Sequence, residues 1–312
     1  GLDRILKPTL QMHEEVTRHI SGVLDDGALA RGQDIEHAFP AALHFTKQLT
    51  SVGQKLEKDL SRVTFELQEE VQRRHGVSRE GVDRCMDAIH SHLAIWRILT
   101  SEHLKAVEVV KGPPWDDVQK RLWAGRTRSA VVNCCVVVDL LRDTAEDCRA
   151  FCIEKNSTSP DVSVSGDSSI VACLFETHFM FAVNELLKNA MQPLLDKYGA
   201  WDVDEAPPVE VTVSRSASRS GYFDVSVADK GGGIPPAAMG ELFHWFSTSA
   251  QQEGSDLFGY SRNHGAQFKG IGAGVNITRV YCAAMGGTVS WQTDTAAGET
   301  VATITLPLRG LR

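Results

Sequence analysis

Hydrophobic positions along the first half of the chain recur every three or four residues. Leu49, Val52, Leu56, Leu60, Val63, Leu67 and Val71 form one such series. Met86, Ile89, Leu93, Trp96, Leu99 and Leu104 form a second, within Val82 to Val110. Val131, Cys134, Val138, Leu141, Ala145, Cys148 and Cys152 form a third. This spacing keeps apolar side chains on one face of a helix. Gly76, Gly112 with Pro113 and Pro114, and Gly125 separate the series. Long amphipathic helices with short connections predict a four-helix-type bundle over residues 1–156.

After Asn156 the period changes. Ser157 to Pro160 reads as a linker, and apolar residues then alternate with polar ones: Val162/Val164, Val209/Val211/Val213, Phe223/Val225/Val227, Val289/Trp291 and Ala302/Ile304/Leu306. A period of two predicts half-buried strands. Helical stretches are expected at 173–192 and about 271–285. The fold class is therefore α+β, with a second domain over 157–312 built as a mixed sheet covered by helices on one face.

Composition changes this picture little. The chain has 312 residues, 42% hydrophobic and 23% charged, which suits two domains. A net charge of −8 argues against a nucleic-acid or anionic-membrane binder. The basic run Lys120, Arg121, Arg126, Arg128 reads as a solvated helix face. No apolar run is long enough to span a membrane, and Leu2 to Glu15 shows no signal or transit character. Seven cysteines without a C-x-x-C pair predict reduced thiols in apolar company rather than a disulfide frame or zinc site.

Three segments of the second half carry chemistry. In Asn184-Glu185-Leu186-Leu187-Lys188-Asn189-Ala190-Met191, Glu185 and Asn189 stand four apart on a helix and share a face. A carboxylate and a carboxamide projecting together can orient a hydroxyl and complete the oxygen shell of Mg2+. Asp229-Lys230-Gly231-Gly232-Gly233-Ile234-Pro235 follows a strand. There an aspartate can accept a hydrogen bond from an exocyclic amine, and glycines let the backbone approach a ligand. Gly270-Ile271-Gly272-Ala273-Gly274-Val275 opens a helix whose free N–H groups suit phosphate.

Taken in order, with Gly298-Glu299-Thr300 before a last strand, these segments resemble the four boxes of the GHKL (Bergerat) ATPase superfamily over residues 175–306. The resemblance implies that ATP binds with Mg2+ held by Asn189. Asp229 would bind adenine. Gly231, Gly233, Ile234, Ser247, Thr248, Gly270, Ile271, Gly272, Ala273, Gly274 and Thr300 would line the nucleotide. Residues 246–269 would form an ATP lid.

Within the superfamily, Glu185-Leu-Leu-Lys-Asn-Ala-Met191 and Phe246-Ser247-Thr248-Ser249-Ala250 are similar to motifs of the mitochondrial α-ketoacid dehydrogenase kinases. So is Arg97-Ile98-Leu99-Thr100-Ser101-Glu102-His103 in the first half. The resemblance implies a protein serine kinase of the mitochondrial matrix, with Glu185 as general base and the E1 subunit of a pyruvate or branched-chain complex as substrate. It further implies a lipoyl domain of the E2 core as a docking partner and a homodimer.

Some residues depart from the family. Phe181 stands where pyruvate dehydrogenase kinases carry a histidine, and His178 lies two turns before Glu185. Gln192 replaces an arginine, and Pro193 is expected to kink or end its helix early. Arg312 ends the chain short of the Asp-Trp tail of pyruvate dehydrogenase kinases, and these departures together lean toward the branched-chain type or a divergent relative. Two alternatives remain at this point: a non-catalytic ATP-binding scaffold of the same fold, and a two-component-like histidine kinase using His44, His90, His92 or His103.

Overall fold

A computed structural model describes residues 78–111, 133–245, 247 and 272–308. The predicted helix over 49–71, the basic run, Thr248, Gly270, Ile271 and nearly all of the lid lie outside these residues.

The first described element is helix α1 (Arg79–Lys111). Its residues Met86, His90, Ala94 and Ile98 are buried at intervals of four, the stripe expected of a helix lying on a core. Next come β1 (Asn133–Val136), α2 (Val137–Asn156), β2 (Val162–Gly166), β3 (Val171–Leu174) and α3 (Glu176–Asp202). A single turn of 3-10 helix leads to β4 (Val209–Arg215) and β5 (Tyr222–Asp229). The short α4 (Pro236–Glu241), α5 (Gly274–Ala284), β6 (Thr288–Asp294) and β7 (Glu299–Pro307) complete the described order.

β2, β4, β5, β7 and β6 lie side by side in that order in one sheet. The β2–β4 pair is parallel and the others are antiparallel. Every strand placed by alternation is present. Val209, Val211 and Val213 face inward while Glu210 and Thr212 face out, so among the described residues one side of the sheet is covered and the other is not. α2, α3 and α5 pack on the covered side. Each fully buried valine, leucine or isoleucine there contributes about 1.5–3 kcal/mol relative to exposure. This is a mixed, mostly antiparallel α/β sandwich.

Four sequence-based expectations need correction. The third helical series does not begin at Val131: Asn133 to Val136 form a strand paired antiparallel with β3, and the helix starts at Val137. β1 and β3 are each four residues long and satisfy each other's backbone groups, a long-range pairing that periodicity cannot reveal. α2, grouped by its pattern with the first half, packs against α3 and β2 instead. Its buried Val138, Leu141, Ala145, Cys148 and Cys152 share one hydrophobic core with the sheet.

Pro193 neither ends nor breaks its helix, which runs on past it to a kink at Gly199, where φ is 71°. Met191 and Leu194, fully buried on either side of the proline, supply packing that outweighs one lost backbone hydrogen bond.

The thiol expectation also fails at one position. Cys173 is disulfide-bonded, and the β1–β3 register sets Cys134 opposite it. Cys85, Cys135, Cys148, Cys152 and Cys282 are free. Burial pushes the Cys148 and Cys282 thiols up to about 12, so both are inert packing groups.

Candidate nucleotide site

Glu185, Asn189 and Pro193 succeed one another at intervals of four along α3 and form a single row. Eight residues of helix rise about 12 Å, so the row has the reach of an extended ligand. A glycine lies against each end of it.

At the first end, a Cβ on Gly274, the opening residue of α5, would run into the Glu185 carboxylate. Glu185 is 8% exposed and ion-paired with Lys188 one turn on, which is 7% exposed. The carboxylate thus sits beneath the N-terminus of α5, where free N–H groups and the helix dipole favour negative charge. Asn189, between the two ends, is exposed.

At the other end, a Cβ on Gly231 would meet the Pro193 ring. Asp229 closes β5 and is 6% exposed. It accepts a hydrogen bond from the Gly231 N–H at 2.9 Å. Burial raises its pKa to about 6; the Gly231 bond pulls it down and the Glu299 charge pushes it up.

Thr300, 8% exposed, stands opposite Asp229 in the β5–β7 register. Gly233 has φ 78°, and a Cβ there would press on Thr295 Cα at 3.0 Å. Ile234 donates its N–H to Thr293 Oγ1 at 2.8 Å.

Among the predicted site residues that are described, Gly274 therefore meets Glu185, and Asp229, Gly231, Gly233, Ile234 and Thr300 gather at the far end. Gly272, with φ 76°, and the buried Ala273 lead into α5. Ser247 has its hydroxyl 3.5 Å from Glu241 Oε2.

His178 is buried and packs edge-on to Tyr281 at 4.9 Å, as Phe181 does at 5.4 Å. Both belong to the α3–α5 interface. Gln192 donates to Asp196 at 2.7 Å. Among the described residues no cluster of three or more His, Cys, Asp or Glu could hold a metal. Mg2+ at Asn189 would share its oxygen shell with phosphate and water, the usual manner of that ion.

Sequence reasoning missed two contributors. Lys188 was inside a quoted motif, but only the fold shows its ammonium closing on Glu185. Thr293 continues the inward alternation of Val289 and Trp291, and a polar residue at the end of such a series was the available signal.

The glycine-limited row, with a buried acid at one end and a helix N-terminus at the other, is a nucleotide cradle in form. Residues 176–310 match the family described as "Histidine kinase-, DNA gyrase B-, and HSP90-like ATPase". This segment is a GHKL ATPase domain.

Over about half its length the chain is similar to curated proteins named [Pyruvate dehydrogenase (acetyl-transferring)] kinase, mitochondrial. The protein of Drosophila melanogaster is 29% identical over 165 residues, covering 50% of this chain and 38% of the relative. That of Arabidopsis thaliana is 27% identical over 154 residues, covering 48% and 40%. Isozyme 1 of Mus musculus is 26% identical over 153 residues, covering 47% and 33%. The alignments span well under half the length of these relatives.

Proposed function

We propose that this protein is an ATP-dependent protein kinase that phosphorylates a serine of the E1 subunit of a mitochondrial α-ketoacid dehydrogenase complex, pyruvate or branched-chain. The observation that carries the reading is the row on α3. It sets a buried carboxylate, Glu185, one turn from an exposed carboxamide, Asn189, with the adenine-type end two turns away at Asp229 and Gly231.

Each residue has a task within that row. Asp229 accepts the adenine amine, and Gly231 and Gly233 let the loop backbone lie against the base. Gly272, Ala273 and Gly274 open α5, whose N–H groups face the phosphate end. Asn189 would hold Mg2+, which neutralises phosphate charge when bound. Glu185 accepts the proton of the serine hydroxyl as it attacks, and Lys188 fixes the orientation of that carboxylate. By the same resemblance, the protein resides in the mitochondrial matrix, forms a homodimer and docks on a lipoyl domain of the E2 core.

Label transfer from γ-labelled ATP with Mg2+ to both E1 subunits tests the reading. Acid-stable label on serine is expected, reduced about a hundredfold or more in Glu185→Gln while ADP still binds. One observation favours a second reading: Glu185 is already occupied by Lys188, as suits a non-catalytic ATP-binding scaffold. ADP binding with no transfer to either E1 would select the scaffold. Acid-labile label on the protein itself would select a histidine kinase.

A further inference from the structure

The covered face of the sheet is organised in rows across β5, β7 and β6. Val225, Ile304 and Val289 make one row, and Val227, Ala302 and Trp291 the next. The last row, at the end of the strands, is Asp229, Thr300 and Thr293. Two apolar rows thus give way to a polar one at the nucleotide end. Asp229 and Thr300 already belong to the nucleotide reading; Thr293 does not.

From its place in this row Thr293 reaches the glycine loop. Its Oγ1 accepts the Ile234 N–H at 2.8 Å and donates to the Glu299 carbonyl at 3.1 Å. The hydroxyl's one proton is therefore committed, and it ties the end of the Asp229–Ile234 loop to the strand that carries Thr300. Two other backbone N–H bonds hold this loop. Gly231 N–H donates to Asp229, and Gly232 N–H donates to the Gly298 carbonyl at 3.0 Å. Gly232 and Gly233 both adopt positive φ, so the segment loses much freedom when it is fixed. Among the described residues, two side chains from outside the loop bond to its backbone: the exposed Lys197 ammonium donates to the Lys230 carbonyl at 3.3 Å, and the half-buried Thr293 hydroxyl accepts at Ile234, at the far end of the glycines.

We infer that Thr293 is a positioning residue of the nucleotide site: its hydroxyl holds the Asp229–Ile234 loop in the shape that recognises the adenine end of ATP or ADP. The inference rests on the nucleotide-binding reading of the site but not on phosphoryl transfer. Without the hydroxyl, the Ile234 N–H and the Glu299 carbonyl lose their shared partner. The loop then relaxes away from Asp229, and the nucleotide must re-order it on binding.

Calorimetric titration of ADP into the whole chain tests this, with Thr293→Val, which keeps the shape, and Thr293→Ser, which keeps the hydroxyl. Val is expected to weaken ADP binding about tenfold, as befits one lost loop anchor, and Ser to bind within about twofold of the unmodified protein. Amide hydrogen exchange at residues 231–234 without nucleotide should be faster in Val and unchanged in Ser. If Val does not fold, Thr293→Ala at this half-buried site takes its place. Equal ADP affinity in Val and the unmodified protein, or a Ser variant as weak as Val, would overturn the inference. Failure of the unmodified protein to bind ADP would overturn the nucleotide reading and this inference with it. ADP binding without kinase activity leaves the Thr293 comparison fully measurable.

Discussion

Glu185 and Asp229 are 8% and 6% exposed, yet they are kept buried in opposite ways. Glu185 shares its burial with the Lys188 ammonium and lies under a helix N-terminus. Asp229 has one backbone N–H from Gly231 and, among the described residues, no ion-pair partner; burial raises its pKa to about 6. The first carboxylate is satisfied within the protein. The second is left with unmet acceptor capacity, which suits a group meant to meet a ligand's donor. The contrast distinguishes a group held in place from a group held in waiting.

Removing the partner of Glu185 should erase that difference and produce the largest stability effect. Lys188→Met leaves a buried carboxylate unpaired and is expected to destabilise the fold by about 3–5 kcal/mol. Urea unfolding of the single variant and of Glu185→Leu/Lys188→Met measures it. The double variant should recover most of the loss, and a double variant no better than the single would show that the pair is not the source.

Asp229→Asn works in the other direction. Its raised folded pKa means the folded protein keeps a proton that the unfolded chain has released. This residue's contribution to stability therefore falls as pH rises from about 4 to about 6. At pH 7 the isosteric amide, which carries no charge to desolvate, is expected to stabilise the nucleotide-free protein by about 1–2 kcal/mol and to lose ADP binding. Thermal unfolding at pH 4.5 and pH 7 should show the gain only at the higher pH. A loss of stability at pH 7 would contradict the account of Asp229 as a desolvated, waiting acid.

A third acid sharpens the comparison at the small end. Asp87 on α1 accepts from the Trp245 indole at 2.8 Å and pairs with Arg279, but the ion pair is more than a third exposed. Asp87→Asn should cost no more than about 1 kcal/mol, read by the same urea unfolding. A loss as large as that of Lys188→Met would mean that exposure does not govern these pairs.

Much of the sheet was legible because period-two alternation is a local signal. Val209 to Val213 and Ala302 to Leu306 state their inward faces outright. β1 and β3 were not legible, since each is four residues long and neither forms without the other. Pro193 misled for a related reason. Its effect on an isolated helix is local, whereas here Met191 and Leu194 anchor the helix on both sides. In the site, the glycines and acids were readable as motifs, but their contacts were not. Gly231 against Pro193 and Gly274 against Glu185 join residues far apart in the chain, and only the packed helix brings them together.

The sequence by itself determined the alternating strands, the order of the three chemical segments and the residues that carry charge. These depend on neighbours a few positions away, through the side-chain periods of helix and strand. The tertiary structure decided that Lys188 neutralises Glu185, that Asp229 is buried with a backbone N–H as its partner, that α2 joins the sheet's core and that Thr293 reaches the glycine loop. Those outcomes depend on which surfaces are removed from water together, and burial is a property of the assembled fold rather than of any segment.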